Sequence, residues 1–589
     1  MTHSSFRRPV PDLIKCGLLL VVIVPLCQPR SAAGRASSAT GAGSITGRVL
    51  SDAGQPLARV IINVNAVGNP LVAHRRTTDT DKDGNFLVSN LAPGVYSVTA
   101  SLRGYVAEPS LAPERSESRY YRPGDSVAIT MVKGGVITGK VTSANGEPAI
   151  TATVMARRVR DLEGRPLRSP GGVSRLTDDR GIYRVYGLTP GSYVVVANLN
   201  PASVSSVGSA YEGDPPTYFP SATRETAGEV VVHSGEEVRS IDISLRSEPG
   251  HTISGTVSSG SAIYAALNQI SVTLTQAVTG EAVRSAFIAR DNATRGFAIY
   301  GLPDGEYELR AGSFGPGERA ASPPRRVTVK GADVGGVVLS LAPLSSISGR
   351  LLLEANTGQA GCESKRPGLF EETIVVARRA EKENLKNQSA LLPSLLISTP
   401  TPHGEFALRD LEAGRYRLEP RLPSEQWYLR ALTLDVTPLA RQPVDAARDG
   451  LLLKTGERLR GLTMIVAEGA ASLHGQVIAV GEGTRLPARL RVHLVPTEAQ
   501  QAENVLRYAE TPAVSDAKFA FSHLAPGRYW LLARPATEEG TAGVRPAAWD
   551  SDGRAGLRRE AEAANVIVDL QPCQRLTDYV LRYAPPSPK

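Results

Sequence analysis

Gly84-Asn85-Phe86-Leu87-Val88-Ser89-Asn90-Leu91-Ala92-Pro93-Gly94-Val95-Tyr96 decides how this sequence is read, because the chain keeps returning to it. Its aromatic, leucine, glycine and tyrosine recur at unchanged spacing as Tyr183/Leu188/Gly191/Tyr193, Phe297/Leu302/Gly305/Tyr307, Phe406/Leu411/Gly414/Tyr416 and Phe519/Leu524/Gly527/Tyr529. Phe86 and Val88 stand two residues apart and so share one face of a strand. Pro93-Gly94 is turn chemistry, and a type II turn with glycine at positive φ is expected there. Tyr96 and Val98 start the next strand, with the Tyr96 ring inward and its hydroxyl returned to nearby backbone, as in a tyrosine corner. The stretch carries a fold signature and no reactive group.

Working outward, each copy follows an opening strand of apolar–x–Gly–x–apolar pattern. These openers are Ile45/Gly47/Val49, Ile137/Gly139/Val141, Ile253/Gly255/Val257, Ile347/Gly349/Leu351 and Leu473/Gly475/Val477. The period of roughly a hundred residues is too long for a solenoid repeat and suits a string of small domains. Within the first unit, Asp52-Ala53-Gly54-Gln55-Pro56 is a turn and 60–64 alternates as a second strand. Asp83-Gly84 turns a hairpin, and Asp125-Ser126-Val127-Ala128-Ile129-Thr130-Met131 closes the unit. The second unit repeats the plan with Asn145-Gly146-Glu147-Pro148 as its turn. Its Thr217-Tyr218-Phe219-Pro220 is followed by strand signals over 230–245.

The fourth unit carries an insertion at 380–396 compatible with a short helix. In the fifth, Pro496-Thr497-Glu498-Ala499-Gln500 reads as the capped start of a helix reaching about Tyr508. The remainder reads as strands and turns, which argues for one β-sandwich per unit. The expected parse is 44–133, 134–248, 249–342, 343–468 and 469–589, the last unit ending in a C-terminal strand.

The chain has 589 residues, 41% hydrophobic, with 56 glycines, 42 prolines and few aromatics, as many short strands joined by turns require. Its formal net charge of +8 is small for its length and suits a soluble surface. Arg7, Arg8 and Lys15, the apolar run 17–26 and Ser31-Ala32-Ala33 read as a secretory signal over residues 1–33, followed by a linker at 34–43. The apolar run is shorter than the roughly 20 residues of a membrane span, so no transmembrane segment is expected in the mature chain. Cleavage after Ala33 would leave Cys362 and Cys573. In an oxidising compartment these two could form a disulfide, the alternative being two unpaired thiols.

The Ile-x-Gly-x-Val opener, the Gly-x-Pro turn, the Asp-x-x-Gly-x-Phe hairpin and the Leu-x-Pro-Gly-x-Tyr turn together resemble the carboxypeptidase regulatory-like domain. The resemblance covers nearly all of the mature chain, clearest in the first two units and weakest in the fourth. It implies an all-β fold, a tandem array of about five prealbumin- or immunoglobulin-like β-sandwiches after a signal peptide, of the kind found in large secreted bacterial proteins. The family is grouped with starch-binding-like modules, which implies carbohydrate binding without naming any ligand residue.

Several patterns resemble chemical sites. His233-Ser234-Gly235-Glu236 matches half of a His-x-x-Glu zinc pair but lacks a third ligand and an open cleft. Asp79, Asp81 and Asp83 imitate the start of a calcium loop whose twelfth place holds Asn90 rather than glutamate. Both read as turns. Trp427, Trp530 and Trp549, with Tyr120, Tyr121, Tyr211 and Tyr218, are the aromatic candidates for a sugar platform. Trp530 should face away from Tyr529 toward partial exposure. Arg157, Arg158, Arg160, Arg165 and Arg168 read as a solvated loop of the second unit.

The expectation is an exported, non-enzymatic protein without cofactor, catalytic residue or metal, located in the periplasm, on the cell surface or outside the cell. Its leading function is carbohydrate binding or envelope association. A structural or protein-interaction scaffold is the alternative, and a chain accessory to a peptidase the third. The expected partners are polysaccharide or envelope and surface proteins, not nucleic acid.

Overall fold

A computed structural model describes residues 43–583 except 69–74, 108–119, 168–171, 199–212, 247, 249, 260–268, 289–293, 315–318, 356–369, 380–396, 436–442, 482–484, 488, 514 and 537–548. The signal segment, Cys362, Arg168, Tyr211 and the helix expected at 380–396 therefore lie outside the described residues.

The first unit shows the plan. Its opening strand Gly43–Ser51 runs antiparallel to the hairpin strand Asn85–Leu91 and parallel to the closing strand Ser126–Lys133, which Tyr105–Ala107 flanks. A second sheet of Arg75–Asp79, Ile61–Ala66 and Tyr96–Ser101 faces it. Alternation does the packing: Phe86 and Val88 point inward from the hairpin strand and meet Ile45, Val49, Ile62, Val64, Tyr96, Val127 and Met131 between the layers.

Leu91 is also buried, although it lies three residues after Val88 and strict alternation would turn it outward. Asn90 resolves this by taking φ 59° at a bulge, which restores the phase. The same left-handed residue precedes the motif leucine in every unit, as Gly187, Gly301, Asp410 and His523. Each sits at a register shift between hairpin strand and opener.

The fold is all-β, built as sandwiches in tandem. In the second, Gly135–Thr142 pairs with Ile182–Leu188 and with the short closing pieces Glu237–Val238 and Ile243–Ser244. Its other sheet holds Thr153–Arg160 and Gly191–Ala197. In the third, Ala320–Ala321 pairs with both Gly305–Phe314 and Val334–Pro343, joining the two layers into one eight-stranded sheet. The fourth pairs Ser345–Glu354 with Glu405–Leu411 and Arg458–Glu468, over a second sheet of four strands. The fifth pairs Ala471–Ala479 with Lys518–Leu524 and Arg575–Tyr583, over four strands centred on Leu490–Pro496 and Gly527–Pro535.

Two features of the fifth unit differ from expectation. The helix expected from Pro496 is two separate 3₁₀ turns, Ala499–Gln501 and Val505–Arg507, the second capped by the Asn504 side chain accepting from Leu506 N. A real helix lies where only strands and turns were expected, at Ser551–Ala564. The Asp550 carboxylate accepts from Gly553 N to cap its start, and Asn565 ends it in the left-handed region. It buries Leu557 and Ala561 against Val495 and Trp530.

Candidate functional site

The motif residues assemble into one repeated structural device. Every opener glycine stands directly across the sheet from its hairpin aromatic: Gly47–Phe86, Gly139–Tyr183, Gly255–Phe297, Gly349–Phe406 and Gly475–Phe519. A Cβ on Gly349 would stand 2.9 Å from Phe406 Cζ, and one on Gly475 would stand 2.7 Å from Phe519 Cζ. On Gly47 it would overlap both the Phe86 ring and the Val127 carbonyl. The glycine is therefore the floor on which the ring lies.

The second device is the tyrosine. Each motif hydroxyl donates to the carbonyl four residues earlier: Tyr96 to Ala92 at 2.8 Å, Tyr193 to Thr189 at 2.5 Å, Tyr307 to Pro303 at 2.7 Å, Tyr416 to Glu412 at 3.0 Å and Tyr529 to Ala525 at 2.6 Å. Burial pushes the Tyr193 phenol up to about 12 against the pull of Arg158, so it is a neutral donor. The preceding turn is not type II, which would place glycine near +80°. Gly94, Gly191, Gly414 and Gly527 lie at φ 159°, 152°, 151° and 139°, and Gly305 is not at positive φ at all. Two of these glycines also leave room: a Cβ on Gly191 would overlap Arg160 O and one on Gly527 the Arg507 guanidinium, whereas one on Gly94 or Gly305 would make only ordinary contact with the tyrosine ring.

The candidate metal patterns resolve into turns. His233 N donates to the Glu236 carboxylate at 2.8 Å, closing a turn that leads into the closing strand. The same bond recurs at the same place from Arg122 N to Asp125, Lys454 N to Glu457 and Gln571 N to the Gln574 amide oxygen, each at 2.7 Å. The third turn position is left-handed throughout: Gly124, Gly235, Gly456 and Cys573, the last at φ 60°. Asp81 likewise accepts from Asp83 N and Asn85 N at 2.9 and 2.8 Å, and Asp178 accepts from Arg180 N and Ile182 N. Among the described residues no group of three or more potential ligands converges. Cys573 is disulfide-bonded.

The aromatic candidates are largely spent on packing. Trp427 is in the core of the fourth unit, and Tyr218 packs against Met155, Val194 and Val196. Trp530 does face away from Tyr529, but the unforeseen helix covers it and Arg558 lies 4.9 Å over its ring. Trp549 is half-buried beneath Arg417 at 4.4 Å. Tyr120 and Tyr121 are half-buried, and Tyr121 pairs with Tyr96 by a backbone bridge.

The arginines expected on a loop are instead on a strand and at its end. Arg157, Arg158 and Arg160 belong to Thr153–Arg160, Arg160 pairs with Glu229, and Arg165 pairs with Asp161 and Glu163. Arg157 is buried and reaches out of its unit: its guanidinium meets Glu281 of the third unit at 2.8 Å. Arg224 takes the other oxygen of Glu281 at 2.9 Å. Burial raises the Glu281 carboxyl, but Arg224 and Arg157 outweigh it and hold the group below the usual carboxylate range.

The junction of third and fourth units repeats this arrangement. Glu412 accepts from Arg310 at 2.6 Å and from Arg379 at 2.7 Å. The first and fourth units also touch, although they are not neighbours in sequence. Arg122 donates to the carbonyls of Glu372 and Leu422 at 2.7 and 3.1 Å, and Val95 packs with Ile374 and Val376. No local motif announces Glu281, Glu412 or Arg122. One signal was available: Tyr193-Val194-Val195-Val196-Ala197 is apolar at every position, which marks a strand covered on both faces.

Comparison with known proteins bears on the class. Residues 44–115 match the family described as carboxypeptidase regulatory-like domain, so the resemblance carried by the motifs is found over the first unit. Among solved structures, the Bacillus anthracis TIE protein is similar at 15% identity over 51% of each chain, with a TM-score of 0.13; the match spans about half of that protein. A minor pilin of Streptococcus agalactiae is similar at 15% identity over 35% of this chain and 98% of that one, with a TM-score of 0.18. The shaft pilin SpaA of Lactobacillus rhamnosus GG is similar at 12% identity over 35% of this chain and 99% of that one, with a TM-score of 0.16. At these scores the superpositions carry no argument about function. No curated protein matches the sequence. Among the described residues no helix is long and apolar enough to cross a membrane.

Proposed function

We propose that this chain is an exported, non-enzymatic scaffold whose sandwiches hold protein partners at fixed separations on or outside the cell envelope. The observation that carries this reading is the pair of junction glutamates, Glu281 and Glu412, each clamped between two arginines across or beside a unit boundary. Flexible beads would leave such charges in water; desolvated bidentate clamps instead favour one docking angle. Contact of the first unit with the fourth through Arg122 and Val95 adds a restraint that a linear string lacks. Distance measurement between spin labels on the second and third units tests it. A single narrow distribution that broadens in Glu281→Ala is expected, and a broad distribution in the unaltered chain would sink the reading.

Carbohydrate binding, the first expectation from the sequence, loses Trp427 and Trp530 as platforms. Among the described residues it would draw on exposed rings such as Tyr186 and Tyr300, 52% and 46% exposed, with Arg175 already lying 4.3 Å over the Tyr186 ring. Pull-down on insoluble polysaccharides decides between the two readings. Retention lost in Tyr186→Ala or Tyr300→Ala would favour sugar, and no retention leaves the scaffold. Export itself is read from residues 1–33 and is checked by whether cell fractionation finds the processed chain outside the cytoplasm.

A further inference from the structure

In the first, third and fourth units the closing strand is paired on both sides. Its second neighbour is Tyr105–Ala107, Ala320–Ala321 and Trp427–Leu434 respectively, antiparallel each time. In the fifth unit the closing strand Arg575–Tyr583 pairs in parallel with Ala471–Ala479, and among the described residues no strand takes its other side. The two edges correspond residue for residue. Tyr579 stands opposite Gly475 as Leu462 stands opposite Gly349, so 579–583 is equivalent to 462–466. In the fourth unit that stretch accepts 429–434 in antiparallel register. An open row of backbone donors and acceptors is a template for one more strand. Beside it, Ile478, Val480 and Val580 are 38%, 45% and 54% exposed.

The geometry points to this edge as a self-association surface: two copies join their 577–583 edges, antiparallel, across a two-fold axis. The inference goes beyond the scaffold reading and does not depend on it. A second copy suits the edge for two reasons. A two-fold axis normal to the sheet makes like strands antiparallel, the orientation that the three equivalent edges take. Centred on Val580, it also sets the two Val580 side chains together and brings exposed Arg582 of each copy to exposed Asp578 of the other, the left-handed residue at this strand's bulge. The three-stranded sheet then continues as six strands. So short a seam buries much less than the roughly 1,200 Å² of a stable interface, so the dimer is weak in dilute solution and favoured where copies are crowded.

Sedimentation of the full chain from about 1 µM to about 500 µM should show a concentration-dependent shift from monomer to dimer. Val580→Lys sets two ammonium groups face to face and should raise the concentration needed by at least about tenfold, with unchanged melting. Arg582→Glu should do the same by opposing like charges, and adding Asp578→Lys should restore association by reversing both signs. A monomer throughout the range overturns the proposal, as does association indifferent to Val580→Lys. Failure of the double reversal to restore the dimer overturns it too, because the two-fold register requires that pair. Slow hydrogen exchange at 579–583 in the monomer would show the edge covered within one chain, with the same consequence.

Discussion

Gly47 lies opposite Phe86 across the first sheet, and the ring occupies the space that any Cβ at Gly47 would need. The aromatic covers backbone that a side chain would otherwise shield, and the same pair is built in all five units. Gly349→Ala and Gly475→Ala should each destabilise their own unit by about 1–3 kcal/mol, the usual cost of overpacking. Phe406→Leu should partly rescue Gly349→Ala by withdrawing the ring. Thermal melts of the single and double variants check this; additive losses would mean that the pair does not share one space.

The tyrosine hydroxyl and ring can be separated experimentally. Tyr193→Phe removes only the bond to Thr189 O and should cost about 1 kcal/mol, while Tyr193→Ala should cost about 3–5 kcal/mol. Denaturant titration of the two variants should rank them in that order. Equal losses would show that the hydroxyl, not the packing, holds the corner.

The second–third junction should fail when its carboxylate is removed. Glu281→Ala leaves Arg157 buried and unpaired, a defect worth about 3–5 kcal/mol. Because Glu281 is held below the ordinary carboxylate range, its contribution is complete above about pH 4.3 and is lost as pH falls through its folded value. Calorimetry of the unaltered chain below pH 4 should therefore show the junction loosening, and the slope should be absent in Glu281→Ala.

His493 gives the fifth unit a second pH dependence of its own. Burial, with Arg534 and Arg491 nearby, pushes its imidazole down to about 4. Unfolded histidine binds its proton near pH 6.5, so the unfolded chain is favoured progressively as pH drops from about 6.5 toward 4. Glu510, 3.5 Å away and raised by burial, takes up its proton more readily in the folded chain and so offsets part of this loss within the same range, above the ordinary carboxylate value. Unfolding of the fifth unit should become easier across that range in the unaltered chain and much less so in His493→Gln.

Cys573 takes a left-handed turn position that glycine fills in the equivalent turns. We propose Cys362 as its disulfide partner, tying the fourth unit to the fifth. Thiol titration of the denatured, unreduced, processed chain should find no free thiol; two per chain would remove the bridge. Fragment 44–133, the expected first unit, should meanwhile melt cooperatively alone, with Val95 newly exposed where the fourth unit covers it.

By itself the sequence determined what is local. Strand alternation, the opener glycine, the hairpin carboxylate and the tyrosine four residues after its acceptor are all set within one hairpin, where spacing alone dictates which face a side chain takes. The type II turn expected at Gly94 does not form even so: its glycine lies at φ 159°, well beyond the value near +80° that such a turn requires. Whether Trp530 stayed in water was settled by a helix whose docking depends on Leu557 and Ala561 finding that face. Whether Arg157 was solvated was settled by Glu281, more than a hundred residues away. Contacts at such separations leave no periodic trace in the chain, since each partner is only one charged residue on a strand or in a turn beside one. Tertiary packing alone brings them together, and among the described residues it alone decides which side of the last strand is paired.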